Sequence, residues 1–378
     1  MADNNANNGS DITMEYINVF GSTRQFNYNT SILCPLNHVP SMSVYFSAIN
    51  IYGVGLFTIG GFIVVTILLF YVDIIKFIMQ ESKTPRVKTH TTFVISVYPV
   101  ISIVTYCAMI VPRAQLLAEA VTQGVFMAAM YQLFCLFVAY CGGEAELIQK
   151  VKPDTILMTK VGPCCCWPCC ILPKLPIDKT TVCFLRMLVL QLPVVQGMVY
   201  MILLIMWAEE ESLYQINYMY IQPIIIISIL FGIWGMIMTI TMLKTILKTY
   251  SIQLKFMVLQ IVLILAKLQG FATRIITWSD ILPCKPPITP PVYGNLIYNC
   301  VMLIEMLILI IIARIIYKRT LSNNYKIESN NNNNNNNTIN TITTIDGSNG
   351  STAFQQNIVG EQQLQQQTIG GQFEKQKY

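Results

Sequence analysis

The sequence predicts an all-α integral membrane protein, a bundle of seven transmembrane helices with the N-terminus outside and the C-terminus in the cytosol. Three observations predict it. Apolar residues come in uninterrupted blocks rather than at amphipathic spacing, and a block of 18 or more can cross about 30 Å of hydrocarbon at 1.5 Å per helical residue. Charged residues make up only 11% of the 378 and hydrophobic ones 54%, at a mean hydropathy of +0.53. Soluble domains carry roughly a quarter charged residues, so this chain is too poor in charge to cover an aqueous surface. The third observation is the placement of Lys and Arg between the blocks: seventeen fall on one side of the bundle and three on the other. By the positive-inside rule the richer side is cytosolic.

Residues 1–48 are rich in Asn, Ser and Thr and hold no apolar signal-peptide core, so they read as an extracellular or lumenal polar tail, and the first span is expected to do the targeting. The seven-helix domain covers 49–320, with spans near 49–72, 92–112, 121–141, 183–207, 218–243, 256–277 and 292–317. The third is the least apolar, carrying Gln123, Gln132 and several small residues. The loops after spans one, three and five and the start of the C-terminal tail supply the cytosolic cations, Arg86 and Arg186 among them; Arg24, Arg113 and Lys285 stand opposite. The net charge of +5 therefore follows topology and gives no reason to expect nucleic acid. Beyond 320 come eight consecutive asparagines, Asn330–Asn337, and a Gln-rich stretch. A segment so poor in apolar residues is expected to stay disordered in the cytosol.

This topology sets the chemistry of the run Gly162-Pro-Cys-Cys-Cys-Trp-Pro-Cys-Cys170. Its five thiols, Cys164, Cys165, Cys166, Cys169 and Cys170, face a reducing compartment, which argues against disulfides. Zinc would need a second Cys pair or a nearby histidine, and only His38 and His90 exist. Reversible acylation of thiols beside a membrane helix is the leading reading, each buried methylene adding about 0.8 kcal/mol of membrane affinity. An unmodified loop is the plain alternative. The sequons at Asn8 and Asn29 fall outside the membrane and are candidate glycosylation sites, whereas those at Asn336 and Asn349 fall in the cytosol.

Inside the spans, charge is rare and expensive. Gln260, Lys267 and Arg274 are spaced by seven, close to two helical turns, and so share one face of span six. Glu305 in span seven is a candidate partner for Lys267. Such a pair either fixes helix packing or leaves one cation free to attract an organic anion. Pro99, Pro193 and Pro223 interrupt spans two, four and five, and Gly60-Gly61, Gly232 and Gly235 permit close helix contacts. No phosphate-binding loop, dinucleotide fingerprint or H-E-x-x-H motif occurs, and no Ser, Cys or Asp sits where it would be activated as a nucleophile. Neither a cofactor nor a metal nor catalysis is expected.

Several stretches, in order over about 49–320, carry a resemblance. They are Ile110-Val-Pro-Arg-Ala114, Gly142-Gly143-Glu144, the cysteine run, Lys255-Phe-Met-Val-Leu-Gln260-Ile-Val-Leu-Ile-Leu265, Gln269, Cys284-Lys-Pro-Pro287, Asn299-Cys300, and Leu307–Arg319 with Glu305 before it. Together they resemble the organic solute transporter alpha subunit and, through Gly-Gly-Glu and Gln269-Gly270, the wider transmembrane-protein-184 group. The resemblance implies a seven-helix plasma-membrane protein that moves amphipathic organic anions, such as bile acids and steroid conjugates, by facilitated diffusion without ATP. It also implies a small single-span beta-type subunit, or a homo-oligomer in its place. The residues expected to meet the solute are Lys267 and Arg274, with Gln260, Gln269 and Glu305. A G-protein-coupled receptor and a non-transporting trafficking protein share the topology. Against the receptor, span three ends in Cys141-Gly-Gly-Glu-Ala rather than an acidic-Arg-Tyr switch, and span seven has no Asn-Pro-x-x-Tyr.

Overall fold

In hydrocarbon every backbone N–H and C=O must find its partner within the chain, and a long helix does this without help. A computed structural model of the protein describes residues 15–17, 23–25, 42–82, 84–151, 156–157, 175–209, 211–279, 282 and 288–345. Its helices are α1 (Met42–Glu81), α2 (Pro85–Ile110), α3 (Gln115–Cys141), a short α4 (Glu144–Lys150), α5 (Lys179–Glu209), α6 (Glu211–Leu243), α7 (Ile252–Trp278) and α8 (Pro290–Ile345). Seven of them are long and apolar enough to cross a membrane, and each coincides with one of the seven expected spans. Two short antiparallel strand pairs complete the description: β1 (Glu15–Ile17) with β2 (Thr23–Gln25), and β3 (Ile156–Leu157) with β4 (Leu175–Pro176).

The chain divides into two units, 1–322 and 323–378. The first holds every span. In the second, residues 323–345 are helical, where the composition points to disorder from 321. Asn8, Asn29 and Cys164–Cys170 lie outside the described residues.

One of the two least apolar spans, α3, is the central one. Its small residues let neighbours close in, and α3 packs against α2, α4, α5 and α7. Met127, Met130, Leu133, Leu136 and Phe137 are fully buried there. Glycine does the same for two other pairs. A Cβ at Gly60 would press on Met109 and Tyr106 of α2, and one at Gly232 would overlap the Leu192 side chain of α5. Pro99, Pro193 and Pro223 lie inside helices that run on through them.

Polar joints tie the helix ends. Tyr45 Oη donates to the Met109 carbonyl at 3.1 Å, between α1 and α2. At the other end, Asp73 Oδ2 of α1 accepts from Arg314 Nε at 2.7 Å and Lys318 Nζ at 2.8 Å of α8. All three side chains are part-exposed, so each pair contributes at most about 1 kcal/mol. We expect Gly232→Ala to destabilise the α5–α6 contact by about 1–3 kcal/mol. This should appear as a lower melting midpoint of the purified protein in detergent, regained when Leu192→Ala is added. An unchanged midpoint would mean the two helices stand farther apart than described.

Candidate functional site

Three polar places stand out against this apolar frame. The first is a track between α3, α7 and α8. Gln115, Glu119 and Gln123 recur every four residues and so line one face of α3. Gln115 Oε1 accepts from Asn299 Nδ2 of α8 at 2.8 Å. Glu119 is close enough to act on the charge of Lys267 in α7 and on Tyr298 in α8. The carboxylate neighbouring Lys267 is thus Glu119 and not Glu305, which corrects the expected pairing. Lys267 is exposed by surface area although much protein surrounds it, as befits a side chain in an open cleft. Arg274, also exposed, acts on the same charge.

Gln260 does not join them. It is 6% exposed, turned toward Met130 of α3. The first half of α7 is packed against the bundle, whereas its second half presents its side chains outward. Gln269 lies near enough to Glu305 to act on its carboxyl, yet no well-aligned hydrogen bond joins them. Gln269 Oε1 and Nε2, Glu305 Oε2 and Gln123 Nε2 are all buried without a partner. Among the described residues these are half of the eight buried side-chain N and O atoms in that state. Native proteins leave few such atoms, and each calls for a water, an ion or a ligand.

The second place is a cavity of about 600 Å³ at the end of the bundle where α1 joins α2 and α3 joins α5. Its cations are Arg86 of α2 and Arg186 of α5, and its wall is Phe134, Cys135 and Val138 of α3. Local sequence explains its rim. Gly142 and Gly143 take φ of 101° and 128°, values that disfavour any side chain, and their N–H groups cap α3 on Ala139 and Val138 at 3.1 Å each. The chain then reverses into α4, whose first residue, Glu144, meets Arg186 Nη1 at 3.2 Å. Arg186 Nε also donates to Tyr131 Oη at 3.4 Å, and His90 Nδ1 donates to Gln132 Oε1 at 2.6 Å. In the sequence, topology alone accounts for Arg86 and Arg186, and nothing singles out His90. The Gly-Gly-Glu turn was the signal that a built rim lay near.

The third is Lys255, 2% exposed at the start of α7. Its ammonium donates to Tyr140 Oη at 2.7 Å and lies 4.6 Å and 4.7 Å from the ring centres of Tyr140 and Tyr317. No carboxylate pairs with it among the described residues. Aromatic faces carry the cation instead, joining α7 to α3 and α8. No His, Cys, Asp or Glu cluster fit for a metal occurs among the described residues.

The sequence profile described as "Organic solute transporter Ostalpha" matches residues 55–322, from within α1 to the end of the last span. The chain belongs to the organic solute transporter alpha family. An organic solute transporter subunit alpha from Danio rerio is 24% identical over 277 residues, 72% of this chain and 84% of that protein. One from Bos taurus is 23% identical over 306 residues, 78% and 87%. An organic solute transporter alpha-like protein from Drosophila melanogaster is 25% identical over 224 residues, 59% and 68%. No solved structure matches the chain. Membership in the Ostalpha family makes this a multi-pass membrane protein of a transporter family, in agreement with the seven spans.

Lys255 gives a direct check on the described packing. We expect Lys255→Met to leave the protein folded, because it removes a buried charge while keeping the volume. A double-mutant cycle with Tyr317→Leu should return a coupling of about 1–2 kcal/mol in thermal unfolding. A coupling near zero would show that the ring does not hold the ammonium.

Proposed function

We propose that this chain is the solute-carrying subunit of a facilitative transporter for amphipathic organic anions such as steroid or bile-acid-like conjugates, working without ATP. The observation that carries the reading is the α3–α7–α8 track, which holds half of the unpartnered buried side-chain polar atoms among the described residues, beside two exposed cations. Lys267 and Arg274 meet the anionic head, Gln269 donates to it as it passes, and Glu305 accepts from hydroxyl groups of the solute. The apolar body rides along the exposed Ile264, Leu268 and Phe271 of α7. A single polar line costs little in such a setting when the solute completes it and is costly when empty, so occupancy and movement are coupled.

In this reading the N-terminus lies outside, with Asn8 and Asn29 glycosylated, and the C-terminus lies in the cytosol. Acylated Cys164, Cys165, Cys166, Cys169 and Cys170 rest against the inner leaflet. The protein serves at the plasma membrane. Several relatives are named as alpha subunits, which supports a small single-span beta-type partner, with a homo-oligomer as the alternative. The solute gradient alone drives flux.

The test is flux of a labelled steroid sulfate into liposomes holding the purified chain, alone and with a candidate single-span partner. We expect uptake that is unaffected by ATP or a sodium gradient, and a fall of at least tenfold when Lys267→Gln and Arg274→Gln are combined at equal reconstitution. Undiminished uptake would remove the two cations from the path, and absence of flux in every arm would remove the carrier reading.

A further inference from the structure

We infer that the cavity bounded by Arg86, Arg186 and Glu144 is a second binding site, for the anionic head of an amphiphile carrying a single negative charge, and that Glu144 is its resident competitor. The inference rests on the carrier reading for its role but on the cavity itself for its chemistry. At about 600 Å³ the space falls within the range of small-molecule sites. Its inventory divides as such a ligand requires. Phe134, Cys135 and Val138 give an apolar wall, and the cations stand at the rim.

Charge selects the class. Two arginines against one glutamate leave the lining one positive charge in excess, which a carboxylate, a sulfate or a phosphodiester neutralises. Arg86 makes no ion pair among the described residues, so its fork is available. Arg186 is engaged, but weakly. The Arg186–Glu144 pair has side chains 49% and 45% exposed, where an ion pair is worth at most about 1 kcal/mol. An arriving oxyanion can therefore take the guanidinium from Glu144 at small cost. Tyr131 Oη, which now accepts from Arg186 Nε, has its own proton to give the ligand.

The place suits a carrier. Tyr131 lies twelve residues beyond Glu119 on α3, about 18 Å along its axis, so the two polar sites flank the apolar middle of the bundle. A head group leaving Lys267 would be received by Arg186 near the opposite face.

The experiment uses the full chain in phosphatidylcholine nanodiscs. Binding of radiolabelled pregnenolone sulfate is measured, with uncharged pregnenolone as control, and alkylation of Cys135 by N-ethylmaleimide is followed by mass spectrometry. We expect the sulfate, but not pregnenolone, to slow Cys135 alkylation at least fivefold. Arg86→Gln and Arg186→Gln should each raise the half-protecting concentration about tenfold. Glu144→Gln should lower it about threefold, because the competitor is gone. Protection arising in phosphatidylglycerol nanodiscs without steroid would keep the anion site and assign its occupant to the bilayer. A loss in Glu144→Gln equal to that in Arg186→Gln would reduce the pair to a structural brace and overturn the inference, as would protection by pregnenolone or none at all. Flux in the same preparation separates the two readings: flux without protection removes this site alone, and protection without flux removes the carrier alone.

Discussion

Lipid tails are as apolar as leucine, so helices in a bilayer gain nothing by hiding leucine from them, and the bundle must be held by other means. Two means are visible. One is close approach, where Gly60 admits Met109 and Tyr106 and Gly232 admits Leu192, and dispersion between tightly fitted surfaces replaces the hydrophobic effect. The other is a small set of polar joints. Lys255 between Tyr140 and Tyr317 ties three helices at one point, and Asp73 with Arg314 and Lys318 ties two. The Lys255 joint holds a cation by aromatic faces where an acid would have been expected. That choice avoids placing a carboxylate, which would also need desolvating, at the same depth.

The central position of α3 brings both polar places onto one helix. One of its faces carries Gln115, Glu119 and Gln123 toward α7 and α8; farther on, Tyr131, Gln132 and Cys135 line the cavity toward α2 and α5. Both polar places hang on one rigid rod whose C-terminus is fixed by a glycine cap. Packing strain or motion in α3 would therefore be felt at both.

What could be read from the sequence follows the range of the physics. The seven spans depend on runs of apolar residues within one segment, and all seven appear. The glycine contacts were legible for the same reason. Pairings between segments were not. Lys267 and Glu305 are both charged and both intramembrane, but helix rotation decides which charges come near each other, and it brings Glu119 rather than Glu305 within reach of the Lys267 charge. Gln260 is buried while Lys267 and Arg274 are exposed, because α7 passes from a packed half to an outward-facing one, which spacing alone does not encode. The four-residue spacing of Gln115, Glu119 and Gln123 was present in the sequence and would have located the opposing wall. Arg86 and Arg186 had a sufficient explanation in topology, which concealed a second one.

The antiparallel pair α7 and α8 is fastened near both extremities and at few points between. Gly294 sits against Thr273 and Thr277 at one end, and Tyr317 covers Lys255 at the other. Along the intervening stretch Leu268 and Phe271 on one rod, and Ile304 and Ile308 on the other, point away from the protein. Two rods pinned at their tips would bow apart sideways without any backbone hinge. For the carrier we propose, that would make the passage a slot rather than a tube, because the oily portion of a cargo would trail in the surrounding hydrocarbon while its ionic portion was handled inside. Recognition by such a slot would be strict about the charged group and indifferent to the bulk of what is attached to it.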